Sequence, residues 1–484
     1  MDNSQIMLGY EQFLNMQHEL SLVAVLILVL LADLFMDGKK KGLFQTIAIG
    51  IFALHTAFGF HLGFSCEDGI QTAFEGMYTT SAMHIFVKNI LNLGTLFVLL
   101  FAHKWNETLN KENCGEFYFL TFSTLFGMYL MISSGDFLLF YIGLETASIP
   151  MATLVALNKN KTESAEAGAK YILTAAFSSG VMLFGISLIY GTCGSLYFDE
   201  VAGAFNAEPI QIMAMVFFAA GMGFKISLVP FHLWTPDTYQ GAPTPVTAYL
   251  SVISKGAAVF AFMCILFKAF RNYPENWQDI LWWIIVITIT VANIFAIRQK
   301  NLKRFLAYSS VSQAGYIMLG VIAGTAAGMT ATVFYVFIYM FTNLAAFGII
   351  SNIENQTGKV GMDDYNGLYS TNPKLALIMM LAMFSLGGIP PFAGFFSKFF
   401  IFAAAAQQGQ YLLVFIALLN TIISLYYYLL VVKAMFINKS DSPIPTLKSD
   451  SMSLVGLTLC TIAIIVLGFI SPIYQYIDGM SFGM

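Results

Sequence analysis

Charged side chains are scarce: they make up 10% of the 484 residues, where soluble domains carry about 25%. That shortage excludes an ordinary soluble fold. With 58% hydrophobic residues, 46 Phe and 39 Gly, the chain falls among polytopic membrane proteins, whose helices tolerate glycine. Cysteine is sparse too. The five cysteines (Cys66, Cys114, Cys193, Cys264, Cys460) are scattered, and no two have the spacing of a metal or redox pair. Haem, iron–sulfur and zinc ligation by this chain are therefore not expected. No Walker or dinucleotide pattern occurs, so no phosphate cradle is expected, and no nucleophile stands beside a base. No enzyme active site is expected here, and a net charge of −4 says nothing about nucleic acid.

What the chain does have is apolar windows of the length that crosses a bilayer, about 20 residues. They fall at 17–36, 42–62, 82–103, 116–134, 136–157, 165–191, 208–230, 245–268, 277–298, 303–324, 328–352, 373–406, 410–437 and 452–472. The pattern predicts an all-α polytopic membrane protein of about 14 transmembrane helices, forming one transmembrane domain over 1–484. The first run is too long for a cleaved signal peptide and ends in Asp33–Asp37, so it reads as a span. The seventh contains Pro230; the twelfth, with Pro390–Pro391, is too long for one straight helix. Both should be broken, because proline lacks the N–H that the helix needs. Sixteen lysines and arginines, including Lys39–Lys41, fall in connections after odd-numbered spans, and only Lys268 and Arg271 follow even-numbered ones. The positive-inside rule then puts both termini outside.

Five lysines remain within spans (Lys88, Lys170, Lys225, Lys255, Lys398), together with one deep carboxylate, Glu145. An ionisable group at bilayer depth costs roughly 2.5–3.5 kcal/mol on insertion scales and marks function by default. Lys225 stands beside the Pro230 break, where freed backbone groups must line a polar cavity. Lys255 is central in its span, too deep to snorkel, and Lys398 follows the second break. Lys170, four residues after Glu166, fits a proton pathway or a plain i,i+4 ion pair. Lys88 reads as reaching the interface, and His55, His61 and His84, which stand alone near interfaces, as hydrogen-bonded structure. His232, two residues after Pro230, is a proton relay or a polar cap of the broken helix. Asp237, in a proline-bounded turn, reads as turn or cap chemistry. Lys and Glu alternating on breakable helices suit protons passing between coupled sites. No ATP site or redox centre is in view, so the drive is expected from a partner.

The stretch FKISLVPFHLWTPDTYQGAPTPVTAYLSVISK (224–255) resembles the N-subunit family of proton-pumping NADH-quinone oxidoreductase, respiratory complex I. GLETAS (143–148), KYILTAAFSSG (170–180), NLKRFLAYSSVSQAGY (301–316) and LGGIPPFAGFFSKFF (386–400) support the resemblance, which covers nearly the whole chain in order. It implies two inverted repeats (spans 4–8, residues 116–271, and spans 9–13, residues 277–437) after N-terminal helices in 1–115 and before a last helix at 452–472. It implies roles in proton translocation for Glu145, Lys225, Lys255 and Lys398, with Lys170 secondary. Gln313 stands where some relatives carry histidine, so no relay group is expected there. NADH, FMN, iron–sulfur clusters and quinone are expected in partner subunits, among them an M-type antiporter-like subunit and small core membrane subunits. The implied location is a bacterial inner membrane. The alternative is a subunit of a multisubunit cation/proton antiporter, which shares the fold and the glutamate–lysine pattern.

Overall fold

The computed structural model describes residues 12–36, 41–65, 69–108, 110–469 and 472–480. Asp37, Lys39, Lys40, Cys66 and both termini lie outside the described residues. Among those described, twelve helices are long and apolar enough to cross a membrane. They are α1 (Gln17–Phe35), α2 (Lys41–Ser65), α3 (Ala82–Thr108), α4 (Cys114–Ile132), α5 (Phe137–Val155), α6 (Thr162–Cys193) and α7 (Pro209–Ile226), then α8 (Thr244–Lys268), α9 (Pro274–Ile297), α10 (Leu302–Ile322), α11 (Ala326–Thr357) and, further on, α14 (Tyr411–Phe436). Three apolar helices are shorter: α12 (Pro373–Gly387), α13 (Ala393–Gln407) and α15 (Ser451–Val466). Helices α5, α10, α11 and α15 start on a side chain that accepts from free N–H groups. Asp136 accepts from Leu139 N at 2.9 Å, and Asn301 from Lys303 N at 2.9 Å and Arg304 N at 3.2 Å.

Both expected breaks are present, and they take the same form. Helix α7 ends at Ile226, four residues short of Pro230, and Ser227 turns left-handed at φ 69°. A short helix, Trp234–Gly241, follows before α8. Helix α12 ends at Gly387, and Gly388 turns left-handed at φ 80° before α13. Cis peptide bonds join Val229–Pro230 and Pro390–Pro391. A left-handed residue after the last turn lets the following N–H groups satisfy the freed carbonyls. Leu228 N reaches Gly223 O at 2.7 Å, and Ile389 N reaches Phe384 O at 3.0 Å.

Helices α8, α10 and α11 form the buried middle, with 94%, 100% and 94% of their most apolar windows inside the protein, whereas α1 and α6 bury 28%. That middle row carries the polar groups of the second break; the ring around it shows apolar side chains such as Leu173, Phe177 and Ile422 to the outside. Close backbone approach seats α5: a Cβ on Gly127 would fall 2.4 Å from Ala147 N, and one on Gly143 would fall 2.6 Å from Met131 N. Small residues allow such contact between membrane helices. The connection between α2 and α3 folds into an unexpected antiparallel hairpin, β1 (Gln71–Ala73) and β2 (Tyr78–Thr80). It is tied to the α4–α5 turn by Thr79 N to Ser133 O at 2.8 Å and Gly135 N to Met77 O at 2.7 Å.

Candidate functional site

Lys225 is the penultimate residue of α7, 8% exposed and beside the break. Its Nζ donates to Tyr171 Oη at 3.3 Å and stands 5.9 Å from that ring's centre. Glu145, on α5, is within electrostatic reach of Lys225 and Tyr171, yet no ion pair closes between them among the described residues. Its Oε1 is buried without a hydrogen-bond partner. Of Glu145 and Lys225, only Lys225 bonds Tyr171. His232 lies buried just past the break, with Nδ1 unpartnered.

Lys255 follows a single π-helical turn, Leu250–Ser254, inside α8. Such turns interrupt the regular ladder and are frequent at functional sites. Its ammonium, buried to 2%, donates to Ser310 Oγ at 2.6 Å and Ser310 O at 3.1 Å on α10. Around the π turn, Asn343 donates to Ser251 Oγ at 3.0 Å and to Tyr339 Oη at 2.9 Å.

Lys398 reaches back from α13 into the second break. It donates to Leu386 O at 2.8 Å and Gly387 O at 3.4 Å, and sits 5.0 Å from the centre of the Tyr316 ring. These carbonyls end α12 and carry the negative pole of its dipole, which suits a cation. Gln313 shares Leu386 O at 3.4 Å and donates to Tyr428 Oη at 3.1 Å. Tyr335 donates to Gln313 Oε1, and Tyr428 pairs with Ser309 at 2.6 Å, one residue from the serine that holds Lys255. Gln313 thus joins α10 to α11, α12 and α14, its amide donating and accepting at once.

Lys170 is half exposed. It makes the i,i+4 pair with Glu166 at 2.7 Å and also bonds Asp237 at 2.7 Å. Asp237 accepts from Arg304 at 2.5 Å as well, so it is an ion-pair hub rather than only a turn residue. Burial pushes its carboxyl up, but the hydrogen bonds from Lys170 and Arg304 outweigh that and hold it below the usual carboxylate range. These residues line a cavity of about 970 Å³ that also takes in Lys161, Lys303 and Glu354, all close to lysine- and arginine-rich connections.

Sequence reasoning missed two groups. Lys303, counted as a loop residue, is buried in the first turn of α10, 3.6 Å from Glu354 and 2.8 Å from Ala242 O. Lys88 does not reach the interface: it is fully buried and ion-paired with Glu19, itself 1% exposed. Glu145 is therefore not the only deep carboxylate. His55, expected as hydrogen-bonded structure, bonds Tyr129 at 3.2 Å and Ser21 at 2.9 Å. The signal was in the sequence, since Glu19 and Lys88 occupy the first two turns of neighbouring helices. Their pairing needed the third dimension. No group of three or more His, Cys, Asp or Glu that could hold a metal occurs among the described residues.

Residues 134–424 match the family model described as NADH:quinone oxidoreductase/Mrp antiporter, TM. A NADH-quinone oxidoreductase subunit N of Phocaeicola vulgatus is 55% identical over 469 residues, covering 96% of this chain and 98% of the relative. A chain of respiratory complex I from Thermus thermophilus, solved with bound aureothin, superposes with TM-score 0.78 at 28% identity, covering 93% of this chain and 97% of that one. A chain of the Mrp complex from Dietzia sp. superposes with TM-score 0.83 at 21% identity, covering 96% of each, which shows the shared fold. The chain belongs to the subunit N family of NADH-quinone oxidoreductase.

Proposed function

We propose that this chain, as a subunit N of NADH-quinone oxidoreductase, moves protons across the membrane along Glu145, Lys225, Lys255 and Lys398, driven by electron transfer in other subunits. One observation carries the reading. The three lysines are buried, each beside a break or a π turn, and each is held only by neutral oxygens. A buried ammonium without an ion-pair partner is expensive to keep for packing alone. Neutral tyrosine, serine and glutamine groups between Lys255 and Lys398 supply hydrogen-bonded steps for a proton. Glu145 biases the charge of Lys225 through Tyr171, so a change in its own protonation is felt at the first lysine. His232 lies beside that first step, and Lys170 stands at the mouth of the charged cavity, which serves as the inlet.

The paired breaks support two structural repeats over 116–271 and 277–437, with α12 and α13 as one discontinuous span and α15 as the last, fourteen in all. The basic connections support cytoplasmic placement of the cavity, with both termini outside a bacterial inner membrane. The partners are the other membrane subunits of the complex, and NADH, FMN, iron–sulfur clusters and quinone act elsewhere in it.

The test is Lys225→Ala in the assembled complex, measuring protons moved per NADH oxidised in sealed membrane vesicles. Lys225→Ala should remove most translocation, and Lys225→Arg should retain more because the charge persists. A wild-type ratio in assembled Lys225→Ala would remove Lys225 from the pathway.

A further inference from the structure

A second buried polar cluster lies in the N-terminal helices, away from the lysine row. Glu19 on α1 and Lys88 on α3 form an ion pair beneath the β1–β2 hairpin. Tyr78, on β2, donates to Glu19 Oε2 at 2.8 Å and takes a bond from Lys88 Nζ at 3.3 Å. On its other side, Lys88 Nζ lies 5.6 Å from the centre of the Tyr129 ring. One turn further along α3, Asn92 accepts from Tyr129 and contacts His18 Nε2 at 3.1 Å and His55 Nε2 at 3.3 Å. Five helices and strands thus aim titratable groups into one pocket: His18 and Glu19 from α1, His55 from α2, Tyr78 from β2, Lys88 from α3 and Tyr129 from α4. His84 on α3 and Tyr249 on α8 act on its rim electrostatically.

We infer that the Glu19–Lys88 pair is a second proton-exchange site of this subunit, closed over by the hairpin and coupled to the lysine row at Tyr249. The inference rests on the reading that the chain moves protons. A buried ion pair does not account for itself as a stabiliser, since apolar residues of similar volume serve as well. The pair is enclosed and bonded by Tyr78, but the cluster around it holds an unmatched titratable group: His18, 3% exposed, has a buried Nδ1 with no partner. Depth fits exchange with the aqueous side, since Lys88 lies six residues into α3, roughly 9 Å from its hairpin end at 1.5 Å per residue. Tyr249 stands immediately before the π turn that presents Lys255, and its hydroxyl bonds Thr124 on α4 at 2.9 Å.

The exchange balances simply. When a proton moves from Lys88 Nζ to Glu19 Oε1, an N–H bond breaks, an O–H bond forms and the pair becomes neutral amine and carboxylic acid. Uptake of one proton by the amine then leaves ammonium beside acid, one positive charge in excess. Loss of the acid proton past Tyr78 restores the ion pair. The pair therefore cycles between net charge zero and plus one, and moves one proton per cycle.

The experiment compares Glu19→Gln, Tyr78→Phe and Lys225→Ala in the assembled complex in its own membranes. It reads protons per NADH together with redox-induced infrared difference spectra in H2O and D2O. The expected result is a lowered ratio in Glu19→Gln and loss of a protonated-carboxyl band that persists in Lys225→Ala. An unchanged ratio and spectrum in Glu19→Gln, with Lys225→Ala impaired, overturns the second site alone. Normal translocation in Lys225→Ala instead overturns the lysine row on which the inference rests. If Glu19→Gln does not assemble, Tyr78→Phe decides: it removes only the hydroxyl, and an unaltered ratio and spectrum there overturn the proposal.

Discussion

The two helix breaks share a backbone and differ in chemistry. Ser227 and Gly388, Pro230 and Pro391, and Phe231 and Phe392 are matched at one constant separation along the chain, and the same N–H groups close the same carbonyls. At that separation Lys225 corresponds to Leu386, and Asp237 to Lys398. The first break carries its lysine before the turn and a carboxylate after it, turned out to the charged cavity. The second carries its lysine after the turn, folded back onto the carbonyls of Leu386 and Gly387. Trp234 reaches Phe224 O at 3.0 Å in the first break, whereas its counterpart Phe395 has no donor to offer. Both lysines lie over a tyrosine ring, but one scaffold presents the cation to a tyrosine hydroxyl in one half and to a helix end in the other. The first lysine has a single hydroxyl acceptor; the second is anchored by two carbonyls.

The largest effects should separate the anchored lysine from the other. Lys225→Met and Lys398→Met are both expected to remove most proton translocation, but to differ in stability. Lys398→Met strands Gly387 O in a buried break and leaves Leu386 O only its long bond from Gln313, and an unsatisfied buried polar group costs roughly 1–3 kcal/mol. Lys225→Met strands only a tyrosine hydroxyl and should stay within about 1 kcal/mol of wild type. Thermal inactivation of the detergent-solubilised complex reads this difference, and equal losses would show that the anchoring carbonyls contribute nothing.

The left-handed residues give a smaller contrast. Gly388→Ala would hold a side chain at φ 80° and bring its Cβ within 3.1 Å of Lys398 Cδ. The left-handed region costs an L-residue roughly 1–2 kcal/mol, so this variant should be destabilised by about that much and should move Lys398. Ser227→Gly places glycine where φ is already 69° and should gain a few tenths of a kcal/mol at most, about what a compatible site allows. The same inactivation assay should rank Ser227→Gly, wild type and Gly388→Ala in that order. Any other order would break the equivalence of the two turns.

The lysine row, both breaks and the helical fold were legible because each leaves a local mark: a charge within an apolar run, or proline inside a span. The groups that were not legible are those whose partners lie far off in sequence. Glu19 sits in the first turn of its helix, where a window places it at the interface, and the hairpin over 71–80 and Lys88 close over it and make it deep. Lys303 looks like a loop cation until Ala242 and Glu354 close around it. Gln313 carries no charge to draw notice, and its importance lies wholly in contacts with Leu386, Tyr335 and Tyr428. A scarcity of charge makes each deep lysine visible, but it hides the neutral groups that connect them.

The smallest expected effect concerns Asp237, the carboxylate that stands where the second break has Lys398. Asp237→Asn keeps the shape and removes the charge that holds Lys170 and Arg304. These contacts are partly exposed, so the stability lost through Arg304 should be only roughly 0.2–1 kcal/mol. The pH dependence is more telling. Because Lys170 and Arg304 hold this carboxyl below its usual range, its stabilising contribution is fully present above the unfolded value of 3.8 and is lost as pH falls through the lower folded value. Wild type should therefore keep this contribution down to the ordinary carboxylate range, while the variant lacks it at every pH. Thermal inactivation at neutral pH and in mild acid reads the difference, which should be constant between the two and shrink only in stronger acid. A gap that closes already between neutral pH and mild acid would mean that Asp237 takes up its proton above the usual carboxylate range, which no carboxylate held by Lys170 and Arg304 would do. The first break would then have no fixed ion-pair hub at its cavity end, and the contrast with the anchored Lys398 would disappear.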